Sequence, residues 1–235
     1  MIATVMIPAR LGSKRFPRKM LTDIAGKPLI VRTWEQACKS KLPVYVVTPD
    51  AEIAELVHSS GGNVIMTSAD CRNGTERCAD ANQVINADLV INWQGDSPLL
   101  DPQWATMLCH HMGRNLDALC GTIGCLCLPH MGMVSVETDK KGRAVSFSRS
   151  QASDEHCEIM HVGIYAYWAS SLRYYVSLPE TDDEYRQSME QLRWPADAIT
   201  VCRQPVPFNP VHEVNVPEDS QIVADLLRRR DAAVR

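Results

Sequence analysis

The chain predicts an α/β fold built on a mainly parallel sheet, and three observations carry that prediction. Short apolar or β-branched runs recur at residues 2–7, 44–48, 63–67 and 89–93, the pattern of strands buried on both faces. Segments with helical apolar spacing lie between them, at 29–39, 51–60 and 74–85. Strand, helix and strand at these separations make βαβ units with right-handed crossovers. The first strand, 2–7, runs into Pro8. Helix 29–39 aligns Leu29, Ile30, Thr33, Trp34 and Ala37, with Pro28 suited to its first turn. Strand 44–48 is bounded by Pro43 and Pro49, and helix 51–60 stops at Gly61-Gly62. Strand 63–67, helix 74–85, strand 89–93 and helix 102–112 follow.

The second half is less regular. Segments 118–128 and 133–136 alternate like strands, and Asp139-Lys140-Lys141-Gly142 turns the chain into 144–147, a hairpin-like excursion. Strand 162–168, helix 182–194 and the short strand 199–202 come next. The last helix, 217–230, has Glu218 and Asp219 in its first turn and Arg228, Arg229 and Arg230 at its end, which complements the helix dipole. No repeat, low-complexity tract or linker divides the 235 residues, so one domain spans 1–235.

Composition excludes several classes. A net charge of −4 argues against bulk nucleic-acid binding, so the cations serve locally. No run has transmembrane length and the start lacks the layout of a signal peptide, which predicts a cytoplasmic chain with no membrane partner. Nine scattered cysteines without a Cys-x-x-Cys pair read as reduced thiols, not as zinc ligands or disulfides.

The chemistry is concentrated after strand ends. The loop following the first strand carries Arg10, Lys14, Arg15, Arg18 and Lys19 with Gly12 and Ser13. Five cations at the carboxyl end of a buried strand repel one another unless an anion sits among them, and guanidinium forks with backbone N–H groups suit a polyphosphate. Neither the P-loop nor the dinucleotide pattern is present. Asp96, in Gln94-Gly95-Asp96-Ser97-Pro98 after the strand at 89–93, is placed to hold a divalent cation with phosphate oxygens and water, since Asp101 is the better cap for the next helix. The polar segment 67–77, which contains Arg72, Gly74, Thr75 and Arg77, opens a helix and reads equally as a base-recognition loop or a plain helix start. His161, Tyr165 and Tyr167 share one face of their strand. On residue type alone they, with Glu190 and Gln191, read as ordinary packing groups.

Taken together these motifs resemble one family. Ile7-Pro8-Ala9-Arg10, Ser13-Lys14-Arg15-Phe16-Pro17, Lys19 and Asp23 through Ile30 are similar to the N-terminal pattern of CMP-Kdo synthetases, the 3-deoxy-manno-octulosonate cytidylyltransferases. Gly74-Thr75-Glu76-Arg77, Gln94-Gly95-Asp96-Ser97-Pro98, Phe147-Ser148-Arg149, the strand from His161 to Tyr167, Glu190-Gln191-Leu192-Arg193 and Val214-Asn215-Val216-Pro217-Glu218-Asp219 follow in the family's order. The resemblance implies a three-layer Rossmann-like nucleotidyltransferase fold. It implies an enzyme that moves CMP from CTP to an acceptor oxygen, releases pyrophosphate and needs Mg²⁺. It places Arg10, Ser13, Arg15 and Lys19 on the triphosphate, with Lys19, Arg10 and Asp96 as catalytic groups. Arg72, Gly74, Thr75 and Arg77 would read the nucleotide. Gln94, Arg149, His161, Tyr165, Glu190 and Gln191 would face the acceptor. Asp96 and Asn215 would hold the metal. Residues 1–115 would form the CTP-binding half, and 116–235 the acceptor-binding and dimerisation half of a homodimer.

The departures concern the acceptor. The first loop reads Pro17-Arg18-Lys19-Met20 where the family has Pro-Gly-Lys-Pro. The family's Gln-Gly-Asp-Glu-Pro has Ser97 in place of Glu, and its second metal-binding Asp is Asn215. The stretches 128–145 and 150–160 are shorter than in the family. A weaker metal site would activate a sugar hydroxyl poorly, whereas a phosphonate oxygen is already anionic. With Arg18 as an added cation, these features favour a small anionic acceptor such as phosphonoformate. Kdo or a related 2-keto sugar acid is the alternative. An inactive CTP-binding regulatory protein, or transfer from another base, are the remaining readings.

Overall fold

The computed structural model describes the chain apart from residues 14, 128–133, 150–157, 188, 205–212 and 234–235. The first half runs β1 (Ala3–Pro8), a small hairpin of β2 (Asp23–Ile24) and β3 (Lys27–Pro28), α1 (Leu29–Cys38), β4 (Val44–Thr48), α2 (Ala51–Ser59), β5 (Asn63–Met66), α3 (Gly74–Ile85), β6 (Leu89–Trp93) and α4 (Gln103–Gly113). The second half adds β7 (Cys120–Cys127), β8 (Val134–Thr138), β9 (Ala144–Arg149), β10 (Glu158–Trp168), α5 (Ala169–Ser177), α6 (Asp182–Gln187), β11 (Ile199–Gln204) and α7 (Pro217–Ala233). The sheet order is β11-β7-β10-β6-β1-β4-β5, with the β8–β9 hairpin joined through β10. β1 is parallel to β4 and β6, β4 to β5, and β7 to β11. β10 alone on this path runs antiparallel, between β6 and β7.

Strand alternation builds two cores, one on each face. Val5, Ile7, Val46, Ile91 and Trp93 pack with Ile30, Ile53, Trp104 and Leu108 of α1, α2 and α4. Met6, Val47 and Val90 face the other way, against Cys78 and Ala81 of α3 and Leu172 and Tyr175 of α5. This gives the expected three layers. A third, smaller cluster joins Val223, Ala224 and Leu227 of α7 to Ile24, Leu29 and Val214. That contact fastens the 213–216 segment beside the end of β6.

Three parts depart from the sequence reading. The segment 182–194 is not one helix: α6 ends at Gln187 and Glu190–Arg193 forms a 3₁₀ turn. Tertiary partners override local propensity there, because Glu190 reaches α3 while Arg193 folds back onto Glu184. α5 escapes sequence reading because its buried stripe is only Ser171, Leu172 and Tyr175. The β2–β3 hairpin is likewise unforeseen. Gly26 turns there at φ 86° and donates its N–H to Asp23 Oδ1 at 2.9 Å. Parts of the expected stretches 128–145 and 150–160 lie outside the described residues, as does Lys14.

Candidate active site

The carboxyl ends of β1 and β6 open into a cleft of about 490 Å³. Arg10, Ser13, Arg15 and Lys19 line it from the first loop, Arg72, Gly74 and Arg77 from the start of α3, and Gln94 and Asp96 from the loop after β6. Glu190 closes it from the second half. The first loop is held by Leu11 N–H donating to Asp50 Oδ2 at 2.8 Å and Arg18 N–H donating to Leu11 O at 3.1 Å. Arg18 itself adopts φ 58° and pairs with Glu52, away from the cleft lining.

Close approach fixes the loop after β6. An ideal Cβ on Gly95 would lie 2.9 Å from Pro8 O, so only glycine fits between the two strand ends. Thr33 Oγ1 donates to Gly95 O at 2.8 Å. Asp101 Oδ1 accepts the Gln103 N–H at the start of α4, as the sequence predicts, and Asp96 is left to the cleft. Lys19 Nζ donates to Asp96 Oδ2 at 2.5 Å and to Val214 O at 3.2 Å. Val214 N–H donates back to Asp96 O at 2.8 Å. Asn215 stands next to this group, with Oδ1 accepting from Arg15 Nη2 at 2.9 Å and Nδ2 donating to Glu213 Oε2 at 3.2 Å. Burial, and then the charge of Asp96, push the Glu213 carboxyl up to about 7.

The start of α3 is organised by carboxylates. Asn73 Oδ1 accepts the Glu76 N–H at 2.9 Å as the N-cap. Glu190 Oε2 accepts Gly74 N–H at 2.9 Å, and its Oε1 accepts Thr75 N–H at 3.0 Å and Thr75 Oγ1–H at 2.8 Å. Glu190 thus closes the positive end of α3, while burial still raises its pKa. Arg77 donates to Thr67 Oγ1, Ser68 O and Cys71 O, so its guanidinium shapes the 67–73 loop. Arg72 pairs with Glu76 and Glu180. Arg193 is buried between Glu76 (2.9 Å) and Glu184 (2.7 Å), with its guanidinium 4.3 Å above the Tyr175 ring.

The acceptor candidates divide. Gln94 and Glu190 line the cleft. Tyr165 and Gln191 are buried behind it, as is Thr75, and Gln191 Nε2 donates to Tyr167 Oη at 3.1 Å. His161, Tyr165 and Tyr167 form a stacked row along β10, with Phe147 of β9 edge-on to His161 at 5.9 Å. Burial depresses the His161 imidazole to about 4, and its Nε2 has no hydrogen-bond partner among the described residues. Arg149, at the end of β9, lies outside the cleft lining. Sequence reasoning missed Glu213 and the Arg193 network. Glu213 carried one weak signal, its place two residues before Asn215. Arg193 stands in the Glu190-to-Arg193 motif, but its pairing with Glu76 and Glu184 is set by the fold.

A cytidylyltransferase family model matches residues 4–201, across the whole of this cleft. The chain belongs to the cytidylyltransferase family. A 3-deoxy-manno-octulosonate cytidylyltransferase of Chlorobium limicola is 39% identical, over 97% of this chain and 98% of the relative. One of Chlorobium luteolum is 38% identical, over 99% and 100%. Among solved structures, CMP:2-keto-3-deoxy-manno-octonic acid synthetase complexed with CTP superposes with a TM-score of 0.85 at 32% identity, over 97% of this chain and 99% of that one. The family bears out the resemblance read from the motifs, and the shared fold bears out the three-layer α/β expectation. No helix among the described residues is long and apolar enough to cross a membrane.

Proposed function

We propose that this chain transfers CMP from CTP to 3-deoxy-manno-octulosonate or a closely related 2-keto sugar acid, releasing pyrophosphate. The observation that carries the reading is the cleft itself. Arg10, Arg15 and Lys19 face Asp96 across the ends of β1 and β6, in a chain matched end to end by relatives named for that reaction. An acceptor oxygen attacks the α-phosphorus, the bond to the bridging oxygen breaks, and pyrophosphate departs with the electron pair. Such transfer needs positioning and charge neutralisation more than covalent work. Arg10 and Arg15 supply fixed forks for phosphate oxygens, Ser13 a hydroxyl, and Lys19 a point charge that can turn from Asp96 to the departing oxygens. The 67–77 loop, braced by Arg77, is the candidate base site.

The donor set fits Mg²⁺. Among the described residues no three His, Cys, Asp or Glu side chains gather into a self-sufficient cage. Instead the Lys19 ammonium rests on Asp96, the place for a cation that takes one or two carboxylates and fills its remaining positions with phosphate and water. When bound, such an ion would polarise the α-phosphate and favour the acceptor alkoxide.

The phosphonate reading loses its two supports. Arg18 pairs with Glu52, outside the cleft lining, and Glu213 brings a carboxyl group next to Asn215, where the family pattern has its Asp. The homodimer stays part of the proposal. Leu126 on β7 and Val145 on β9 are half exposed near the excursion that would form its contact. Pyrophosphate release from CTP, with Kdo and phosphonoformate as competing acceptors, tests the reading. At least tenfold higher kcat/KM for Kdo is expected. Equal or reversed preference refutes the acceptor assignment, and equal use of UTP, GTP or ATP refutes the base assignment.

A further inference from the structure

Next to Asp96 of the cleft lining stands a carboxyl group, Glu213, that neither the motif pattern nor the family comparison assigns. Glu213 arrives on the segment that α7 fastens beside β6, and the Val214 N–H bond to Asp96 O fixes the two residues side by side. Its Oε1 lies against β10, 2.9 Å from where a Cβ on Gly163 would stand, and that same Cβ would be 3.6 Å from Gln94 Cγ. Glu213 therefore occupies room that Gly163 leaves open, behind Gln94 of the cleft lining. A cation already marks the spot. The Lys19 ammonium is held by a carboxylate oxygen of Asp96 at 2.5 Å and the carbonyl oxygen of Val214, next to Glu213, at 3.2 Å. Carboxylate and carbonyl oxygens are the donors that hard divalent cations take.

Asn215 is poorly placed for the same task. Its Oδ1 already accepts from Arg15 and its Nδ2 is turned to Glu213, and a neutral amide oxygen is a weaker ligand for a hard divalent cation than a carboxylate. We propose that Glu213, not Asn215, provides with Asp96 the paired carboxylates of this chain's divalent-cation site. Asn215 acts as a positioning residue that orients Glu213 and Arg15. The ion competes with Lys19 for Asp96, which frees the ammonium for phosphate. The proposal rests on the metal-dependent reading given above.

Mn²⁺ binding to the full chain, followed by the loss of the free-ion electron paramagnetic resonance signal, tests it without turnover. Wild type, D96N, E213Q and N215A are compared after thermal unfolding has shown each to be folded. Affinity is expected to fall at least tenfold in D96N and E213Q and less than threefold in N215A. A tenfold or larger loss in E213Q that is at least three times the loss in N215A supports the assignment, and anything smaller overturns it. If E213Q does not fold, N215A decides alone: affinity within threefold of wild type supports the assignment, and a larger loss overturns it. Failure of wild type to bind Mn²⁺ at millimolar concentration overturns it as well. Pyrophosphate release by wild type is read separately, so the transferase reading can stand while the Glu213 assignment falls.

Discussion

Replacing Glu190 separates two roles for one carboxylate, wall of the acceptor pocket or clamp on α3. The structure gives it three bonds from the first turn of α3: two backbone N–H groups and the Thr75 hydroxyl. In E190A both N–H groups lose their acceptor, at about 1–3 kcal/mol each, and the helix loses a favourable charge worth about 0.3–1 kcal/mol. Thr75 keeps Tyr167 Oη as a partner at 3.1 Å. Relief from burying a carboxylate, which its raised pKa reports, offsets part of the loss. The net expectation is about 3 kcal/mol for E190A and about half that for E190Q, whose amide oxygen still accepts one bond. With a urea slope of about 3 kcal/mol/M, the midpoints fall by about 1 M and 0.5 M. Because the same turn carries Gly74 and borders Arg72 and Arg77, the KM for CTP should rise about tenfold, the equivalent of about 1.4 kcal/mol. Urea denaturation followed by circular dichroism, with steady-state pyrophosphate release, checks both numbers. An unchanged midpoint in E190A with only the acceptor KM raised would refute the clamp and leave Glu190 as an acceptor ligand.

Arg193→Met takes the shared cation from Glu76, which keeps Arg72, and from the largely buried Glu184, which should cost about 2–4 kcal/mol. A midpoint shift under 0.3 M, or about 1 kcal/mol, would show the network to be dispensable. Gly95→Ala drives a methyl to 2.9 Å from Pro8 O and should cost about 1–3 kcal/mol and lower turnover, whereas wild-type melting and activity would contradict the close approach. His161 titrates near 4 when folded against about 6.5 unfolded, so the unfolded chain binds more protons between these values. Stability present above pH 6.5 is then lost as the pH falls, by about 1–2 kcal/mol at pH 5 once partial exposure is allowed for. Phe in place of His161 should remove that component, and identical pH 7-to-5 losses in both proteins, read from urea midpoints, would count against it.

Local signals made the first half readable. β-branched runs bounded by proline or glycine, and one apolar stripe per helix, are set by the chain's own neighbours, so β4, α2, α3 and β6 lie where their spacing put them. The basic loop and Asp96 were legible for the same reason, since strand ends in a parallel sheet converge on one edge. The second half resisted where partners are remote. Glu190 and Arg193 break a helix-like stretch because one must reach α3 and the other Glu184, and α5 hides behind a stripe of three buried residues.

The amino-acid order by itself determined the layered α/β scaffold, the cationic first loop and the family, because periodicity and short motifs are written in adjacent residues. Only the folded chain decided which of those charges face the cleft. It sent Arg18 to Glu52, and beyond that loop it had Arg77 brace the 67–73 loop while lining the cleft and stood Glu213 beside Asp96. A side chain's duty depends on what long-range packing brings within a few ångströms of it, and no local pattern encodes that distance.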